Sequence, residues 1–81
     1  MEPKINNMYA VRDKASGLFL SGNYLSKTGD IKLYRNPGPA KGLVTKLRKS
    51  QYFCSGEAGY YAQDLEVVAM AIVPTYVIST T

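Results

Sequence analysis

Residues 65–73 read Leu-Glu-Val-Val-Ala-Met-Ala-Ile-Val, an almost continuous apolar run with Glu66 as its single charge. Such a run, rich in β-branched residues, is typical of a strand that is covered on both sides or lies centrally in a sheet. Nine residues are too few to cross a membrane, which takes about 20. Pro74 interrupts hydrogen bonding, so residues 75–79 are either a continuation past a bulge or a last edge strand.

The first half of the chain predicts further strands. Residues 1–7 are polar and contain Pro3, which favours a flexible arm. Residues 8–12 and 18–21 are predicted to pair as a hairpin, because the intervening Asp-Lys-Ala-Ser-Gly segment suits a turn.

A third strand is expected at residues 31–34. Ile31 and Leu33 alternate there with Lys32 and Tyr34, a pattern that places one apolar face toward a core. The preceding residues, 22–29, have the composition of a loop.

A helix is predicted after the sequence Asn-Pro-Gly-Pro at residues 36–39. Asn36 suits the N-cap, and proline is tolerated in a first helical turn because its missing N–H would be unpaired there. Apolar residues recur at the spacing of one helical face. They are Ala40, Leu43, Val44 and Leu47.

Together these elements predict an α+β fold in the order β-β-β-α-β. A mainly antiparallel sheet of three to five strands would carry one amphipathic helix on one face. Residues 8–81 would form a single domain, since 81 residues leave no room for a second. The helix is expected to cover one set of strand residues. They are Tyr9, Val11, Ile31, Leu33 and alternate residues of 65–73.

Charge is divided sharply along the chain. The net charge is +4, and all ten basic residues lie within residues 1–49, whereas residues 50–81 hold three acids and no base. If the two halves occupy different surfaces, the positive one attracts phosphates or an acidic protein patch. The simpler alternative is that Lys and Arg only keep a small protein soluble.

Catalytic and metal-binding chemistry finds little support. The chain has no histidine and only one cysteine, Cys54, so the usual zinc ligand sets and an internal disulfide are excluded within one chain. Cys54 is expected to be a half-buried thiol, and Asp13 and Asp30 stand in turn sequences. We therefore predict a protein that is not an enzyme and needs no cofactor. With no signal peptide in the sequence, the expected compartment is the cytoplasm.

One functional hypothesis is a nucleic-acid-binding protein with little sequence specificity. Its cations would contact phosphates while exposed tyrosines stack on bases. The same cations would serve an acidic protein partner. They are Lys41, Lys46, Arg48 and Lys49 on the helix, with Arg12, Lys14, Lys32 and Arg35 elsewhere. The simpler interpretation is a solvated helix face.

The other hypothesis is a protein-binding module that occludes its partner. Seven tyrosines in so short a chain exceed what the core needs, and tyrosine is favoured at interfaces. The contact candidates are Tyr24, Tyr52, Tyr60, Tyr61 and Tyr76. For each of them the alternative is a partly buried ring with a hydrated hydroxyl. A homodimer through an edge strand, after Pro74 or at the hairpin edge, is also possible.

Several stretches resemble small uncharacterised α+β accessory proteins of tailed bacteriophages. They are Tyr-Ala-Val-Arg-Asp-Lys at 9–14, Ser-Gly-Leu-Phe-Leu at 16–20, Ile-Lys-Leu-Tyr-Arg at 31–35 and Ala-Lys-Gly-Leu at 40–43, with 65–68 as a closing strand. The resemblance carries no active residues. It implies a viral product acting in the bacterial cytoplasm, where such proteins bind and inhibit or redirect a host protein, and it places this role ahead of nucleic-acid binding.

Overall fold

The computed structural model describes residues 6–72, and the statements below concern that part of the chain. It shows a small α+β fold with two antiparallel sheets of two strands each and one main helix. In chain order the elements are β1 (Asn6–Asp13), β2 (Leu20–Ser21), β3 (Tyr24–Leu25), α1 (Pro37–Lys49), α2 (Gln51–Cys54), a 3₁₀ turn (Ala62–Asp64) and β4 (Leu65–Ile72).

The larger sheet pairs β1 with β4 along their whole length. The register places Val11 opposite Val67 and Asp13 opposite Leu65 on one face, whereas Arg12 faces Glu66 on the other. The prediction of a strand in the apolar run is confirmed over residues 65–72. Its expected central position is wrong for these residues, since β1 is its only described neighbour and Ala69 is exposed.

The outer edge of β1 is held by isolated bridges rather than by whole strands. Tyr9 pairs with Tyr34 through two backbone hydrogen bonds of 2.8 Å, and Arg12 pairs with Phe19. Of the predicted hairpin between residues 8–12 and 18–21, only the bridge between Arg12 and Phe19 is present. The segment 31–34 is not a strand: it contributes the bridge at Tyr34 and one backbone hydrogen bond, from the N–H of Lys32 to the carbonyl of Leu20 at 3.1 Å.

The small sheet explains this departure. β2 and β3 form a tight hairpin around Gly22 and Asn23, within a stretch that the sequence assigned to a loop. Gly22 has a φ of +75°, as the first central residue of a two-residue hairpin turn requires. On the other edge of β2, the carbonyl of Leu20 accepts the N–H of Lys32 at 3.1 Å, so Leu20 does not extend the pairing with β1.

The predicted helix is confirmed as α1. Asn36 occupies the N-cap position with extended backbone angles, but its side chain makes no capping hydrogen bond. Pro37 begins the helix, and Ser50 ends it by donating its backbone N–H to the carbonyl of Leu47 at 3.1 Å. The buried stripe contains Ala40, Val44 and Leu47, as the spacing predicted, while Leu43 is half-buried.

The core lies between α1, the β1–β4 sheet and the short elements after α1. Its buried members are Val11, Leu20, Ala40, Val44, Leu47, Phe53, Tyr60, Ala62 and Leu65. The expectation that Ile31 and Leu33 join this core is wrong: Leu33 is exposed and Ile31 is half-buried. Tyr34 packs against the core instead, because its bridge to Tyr9 ties the segment to the sheet at that residue.

Two further predictions concern β1. The prediction of a flexible arm over residues 1–7 is wrong for Asn6 and Asn7, which belong to β1. Tyr9 was expected under the helix, yet it is half-buried and outside the core cluster. Residues 1–5 of the arm and the possible strand at 75–79 lie outside the described residues.

Leu47→Ala tests the contact between the helix and the rest of the core. Leu47 is among the largest fully buried side chains, so its truncation should lower the free energy of unfolding by about 2–5 kcal/mol. Leu43→Ala, at the half-buried position of the same helix, is the control and should cost clearly less. Urea unfolding followed by circular dichroism measures both, and equal losses would contradict this packing.

Candidate cationic groove

One row of polar residues runs along α1 beside its buried stripe. Lys41, Thr45 and Arg48 stand at i, i+4 and i+7, a spacing that places them on one helix face. The hydroxyl of Thr45 donates to the carbonyl oxygen of Lys41 at 3.0 Å, so this side chain is held against the helix. The two cations therefore project on either side of a short, neutral residue.

This row forms one wall of a groove between α1 and β4. The groove has a volume of about 430 Å³. Its lining residues are Lys14, Lys41, Val44, Thr45, Arg48, Leu65, Glu66 and Val67. Buried Val44 and Leu65 provide an apolar floor, and three cations surround it. The helix spacing of Lys41, Thr45 and Arg48 and the strand at residues 65–72 could both be predicted from the sequence, but not that the two elements line one groove.

Arg48 spans the groove from the helix to the start of β4. Its Nε donates to the carbonyl of Ala62 at 3.4 Å, and its Nη2 donates to the carbonyl of Leu65 at 3.3 Å. A guanidinium carries five N–H donors, so three remain for a ligand. The contacts to the backbone hold the charge in place before any ligand binds.

Glu66 is the single acidic residue of the groove, and a partner outside the lining neutralises it. Arg12, directly opposite on β1, donates to Glu66 Oε1 through Nε at 2.8 Å and also through Nη2. This is the single salt bridge between described residues. Lys14, Lys41 and Arg48 therefore have no carboxylate partner among the described residues. Arg12, predicted as a contact residue, is instead paired with Glu66.

The remaining predicted cations lie elsewhere. Lys46 and Lys49 are exposed on faces of α1 away from the groove row. Lys32 and Arg35 flank Tyr34 at the outer edge of β1, and Lys32 Nζ stands 5.7 Å from the centre of the Tyr34 ring. Apart from Arg12, which pairs with Glu66, the predicted cations thus lie in three places, and only Lys14, Lys41 and Arg48 are brought together in the groove.

The predicted aromatic contacts divide in the same way. Tyr24 and Tyr52 are exposed and flank the buried ring of Phe53, at centroid distances of 6.1 and 5.1 Å. Tyr61 is also exposed. Tyr60, predicted as a contact residue, is a core residue with 3% of its surface exposed and offers no ring to a partner. Tyr76 lies outside the described residues.

The Tyr60 hydroxyl is tied to the small hairpin. It donates to the backbone carbonyl of Asn23, in the turn between β2 and β3. Burial raises the pKa of Tyr60 to about 12 from 10.0, with further increases from the nearby Tyr24, Asp13 and Tyr52. Sequence reasoning missed this role because the adjacent Tyr60 and Tyr61 carry no pattern that separates the buried ring from the exposed one.

Neither Cys54 nor Asp13 is part of the groove. The Cys54 thiol is half-buried, as expected, and donates to the backbone carbonyl of Arg48 at 2.9 Å. Asp13 Oδ2 accepts from the Ser16 hydroxyl at 2.7 Å within the turn after β1. Between residues 6 and 72, no cluster of three or more His, Cys, Asp or Glu side chains is arranged to hold a metal ion.

Comparisons with protein-family models, curated proteins and solved structures find no match to this chain. In the part of the chain that the structure describes, no helix has the length and apolar character needed to cross a bilayer.

Tyr60 should make the fold sensitive to alkaline pH. Its folded pKa, about 12, lies above the unfolded value of 10.0, so its contribution to stability is complete below pH 10. That contribution is lost as pH rises toward 12, because the unfolded chain releases the phenolic proton first. Urea midpoints measured from pH 9 to 12 should fall more steeply for the wild type than for Tyr60→Phe. If the urea midpoints of the two proteins fall equally with pH, Tyr60 does not cause the loss of stability at alkaline pH.

Proposed function

We propose that this chain is a non-enzymatic binding protein whose groove between α1 and β4 takes an acidic segment of a protein partner. The observation that carries the proposal is the set of three unneutralised cations, Lys14, Lys41 and Arg48, around a buried apolar floor. In its fuller form, the proposal states that the chain is a phage accessory protein that binds and inhibits or redirects a host protein in the bacterial cytoplasm. The resemblance of residues 9–14, 16–20, 31–35 and 40–43, with 65–68 as a closing strand, supports that fuller form.

The groove combines two sources of binding free energy. Apolar side chains of a partner gain by covering Val44 and Leu65, and carboxylates gain by approaching the surrounding cations. Because Arg48 is already held by two backbone carbonyls, less side-chain entropy is lost when it meets a ligand. Charge at the rim mainly sets association rate and specificity, so binding should weaken as salt increases.

The composition of the groove favours a protein segment over a nucleic acid. Single-stranded nucleic acids bind where cations alternate with aromatic rings on which bases stack. None of the groove's described lining residues is aromatic, and the exposed rings of Tyr24 and Tyr52 gather around Phe53 instead. The cations are thus separated from the stacking surfaces that the nucleic-acid hypothesis requires.

Nucleic-acid binding remains the second candidate because of the outer edge of β1. There Lys32 lies over the ring of Tyr34, and the exposed Arg35 follows it. If this edge binds nucleic acid, fluorescein-labelled dT12 should show a rise in anisotropy at low salt with the protein at tens of micromolar. The signal should be lost in Lys32→Gln/Arg35→Gln. An unchanged anisotropy in the wild type would end this hypothesis.

The protein-partner proposal is tested by affinity capture from bacterial lysate with and without nuclease. Lys14→Gln/Lys41→Gln should reduce recovery of a stoichiometric protein partner, with a loss of affinity of about 3- to 30-fold. Lys46→Gln/Lys49→Gln removes the same charge from other faces of α1 and should leave recovery unchanged. The partner's affinity is then measured by titration at two salt concentrations.

Three results would contradict the proposal. One is recovery of nucleic acid alone, and the second is a partner lost on nuclease treatment. The third is equal weakening by the two double variants, which would mean that net charge rather than the groove controls binding. Arg48 is left intact in these variants because its contacts to Ala62 and Leu65 also support the fold.

A further inference from the structure

The backbone of β4 has a regular orientation that follows from the hydrogen bonds of β1. Tyr9 exchanges both of its backbone hydrogen bonds with Tyr34, each at 2.8 Å, so its N–H and C=O point away from β4. Opposite residues of an antiparallel pair either both face each other or both face outward. Ala69, which stands opposite Tyr9, therefore directs its own N–H and C=O away from β1.

The same parity applies to every second residue of β4. Leu65, Val67 and Ala71 share the outward orientation of Ala69. Two contacts agree with this assignment: Asp13, opposite Leu65, donates its N–H outward to Leu18 at 2.9 Å, and the Leu65 carbonyl accepts from Arg48. Within residues 6–72, β1 is the only strand that pairs with β4. Among the described residues, the outward backbone groups of Val67, Ala69 and Ala71 therefore have no hydrogen-bond partner.

The cationic groove follows this same edge. Leu65, Glu66 and Val67, three consecutive residues of β4, line the groove. Arg48 Nη2 donates to the carbonyl of Leu65, which points outward from this edge, so this groove cation lies beside the edge. The cations of the groove therefore stand at the end of a strand edge whose backbone groups continue toward Ala71.

We infer that the acidic partner segment binds by strand addition, as an extended peptide paired with the outer edge of β4. Its backbone would pair with Val67 and Ala69, and a carboxylate at one end would meet Lys14, Lys41 and Arg48. Main-chain pairing with side-chain selection in adjacent pockets is an established mode of peptide recognition. This inference rests on the proposed function and adds the conformation and backbone register of the ligand.

Charge selects this occupant over the two that the chain itself could supply. A second copy pairing through its own β4 would bring one carboxylate, Glu66, which Arg12 already neutralises. Residues 73–81, Val-Pro-Thr-Tyr-Val-Ile-Ser-Thr-Thr, contain neither Asp nor Glu. Neither supplies carboxylate side chains to match three cations, so the groove fits an acidic strand from another protein.

The experiment begins with the selection of binders to the immobilised wild-type protein from a displayed library of random decapeptides. Selected peptides should carry Asp or Glu near one end, followed by β-branched residues, and their affinity should fall in Lys14→Gln/Lys41→Gln. One selected peptide is then resynthesised with a single N-methyl group at each position in turn. Strand addition predicts losses of about tenfold or more at alternate positions only, since every second N–H points toward β4.

A variant pair tests the protein side of the same contact. Ala69→Pro removes an outward N–H without touching the pairing with β1, whereas Ala69→Thr keeps it, and Ala69 is exposed. Peptide affinity should fall by about tenfold in Ala69→Pro and stay within about threefold of wild type in Ala69→Thr. Hydrogen exchange of the Val67 and Ala69 amides should slow when peptide is added. The N-methyl series uses the wild-type protein, so it stands even if Ala69→Pro fails to fold.

The outcomes separate the two proposals. If no selected peptide depends on Lys14 and Lys41, the proposed function is contradicted. Peptides that depend on these lysines but show no alternation, and leave the Val67 and Ala69 amides unprotected, overturn strand addition alone. Edge amides that are already protected in the free protein also overturn it. Protection lost on dilution would then assign the edge to a second copy, and protection lost on deleting residues 73–81 would assign it to that segment.

Discussion

The seam between α1 and the β1–β4 sheet determines the rest of the molecule. Ala40, Val44 and Leu47 pack into the cluster that contains Val11 and Leu65, and this contact sets the rotation of the helix about its axis. Each residue of a helix turns the chain by about 100°, so seating this stripe leaves little choice for its neighbours. Lys41 and Arg48 are carried to the side of β4 for that reason.

Electrostatics then follow from which acids are near which bases. The sequence places all its bases before residue 50, and folding pairs β4, whose single charge is Glu66, with β1, which carries Arg12 and Asp13. Glu66 forms a salt bridge with Arg12, its cross-strand neighbour on β1. No carboxylate of residues 6–72 pairs with the groove cations, because the one beside them, Glu66, is already bound to Arg12.

In the described part of the chain the larger sheet has two strands, and its two edges differ. Bridges to Phe19 and Tyr34 occupy the outer edge of β1. On β4, Arg48 accounts for the Leu65 carbonyl, and no charged residue occurs from Val67 to Ala71. Edge strands usually carry charges, prolines or bulges that oppose further pairing. Their absence over this stretch suits a strand edge that pairs with a partner.

Local pattern was enough for the helix, whose apolar residues recur at helical spacing, and for the strand at residues 65–72, whose apolar run is short and rich in β-branched residues. It was not enough for residues 18–34. Alternation at 31–34 predicts a strand, yet Lys32 bonds to Leu20 of β2 and Tyr34 to Tyr9 of β1, so the segment contacts two different strands and forms a continuous ladder with neither.

The site shows the same division. The sequence by itself determined that cations would crowd one half of the chain and that Lys41 and Arg48 would share a helix face. Tertiary structure alone decided that Lys14 lines the groove with them and that Arg12 forms a salt bridge with Glu66 instead. It also decided that Tyr60 is buried while Tyr61 is exposed. The physical reason is that periodicity orients a side chain relative to its own element, whereas burial and charge pairing depend on residues that are distant in the chain and meet only on folding.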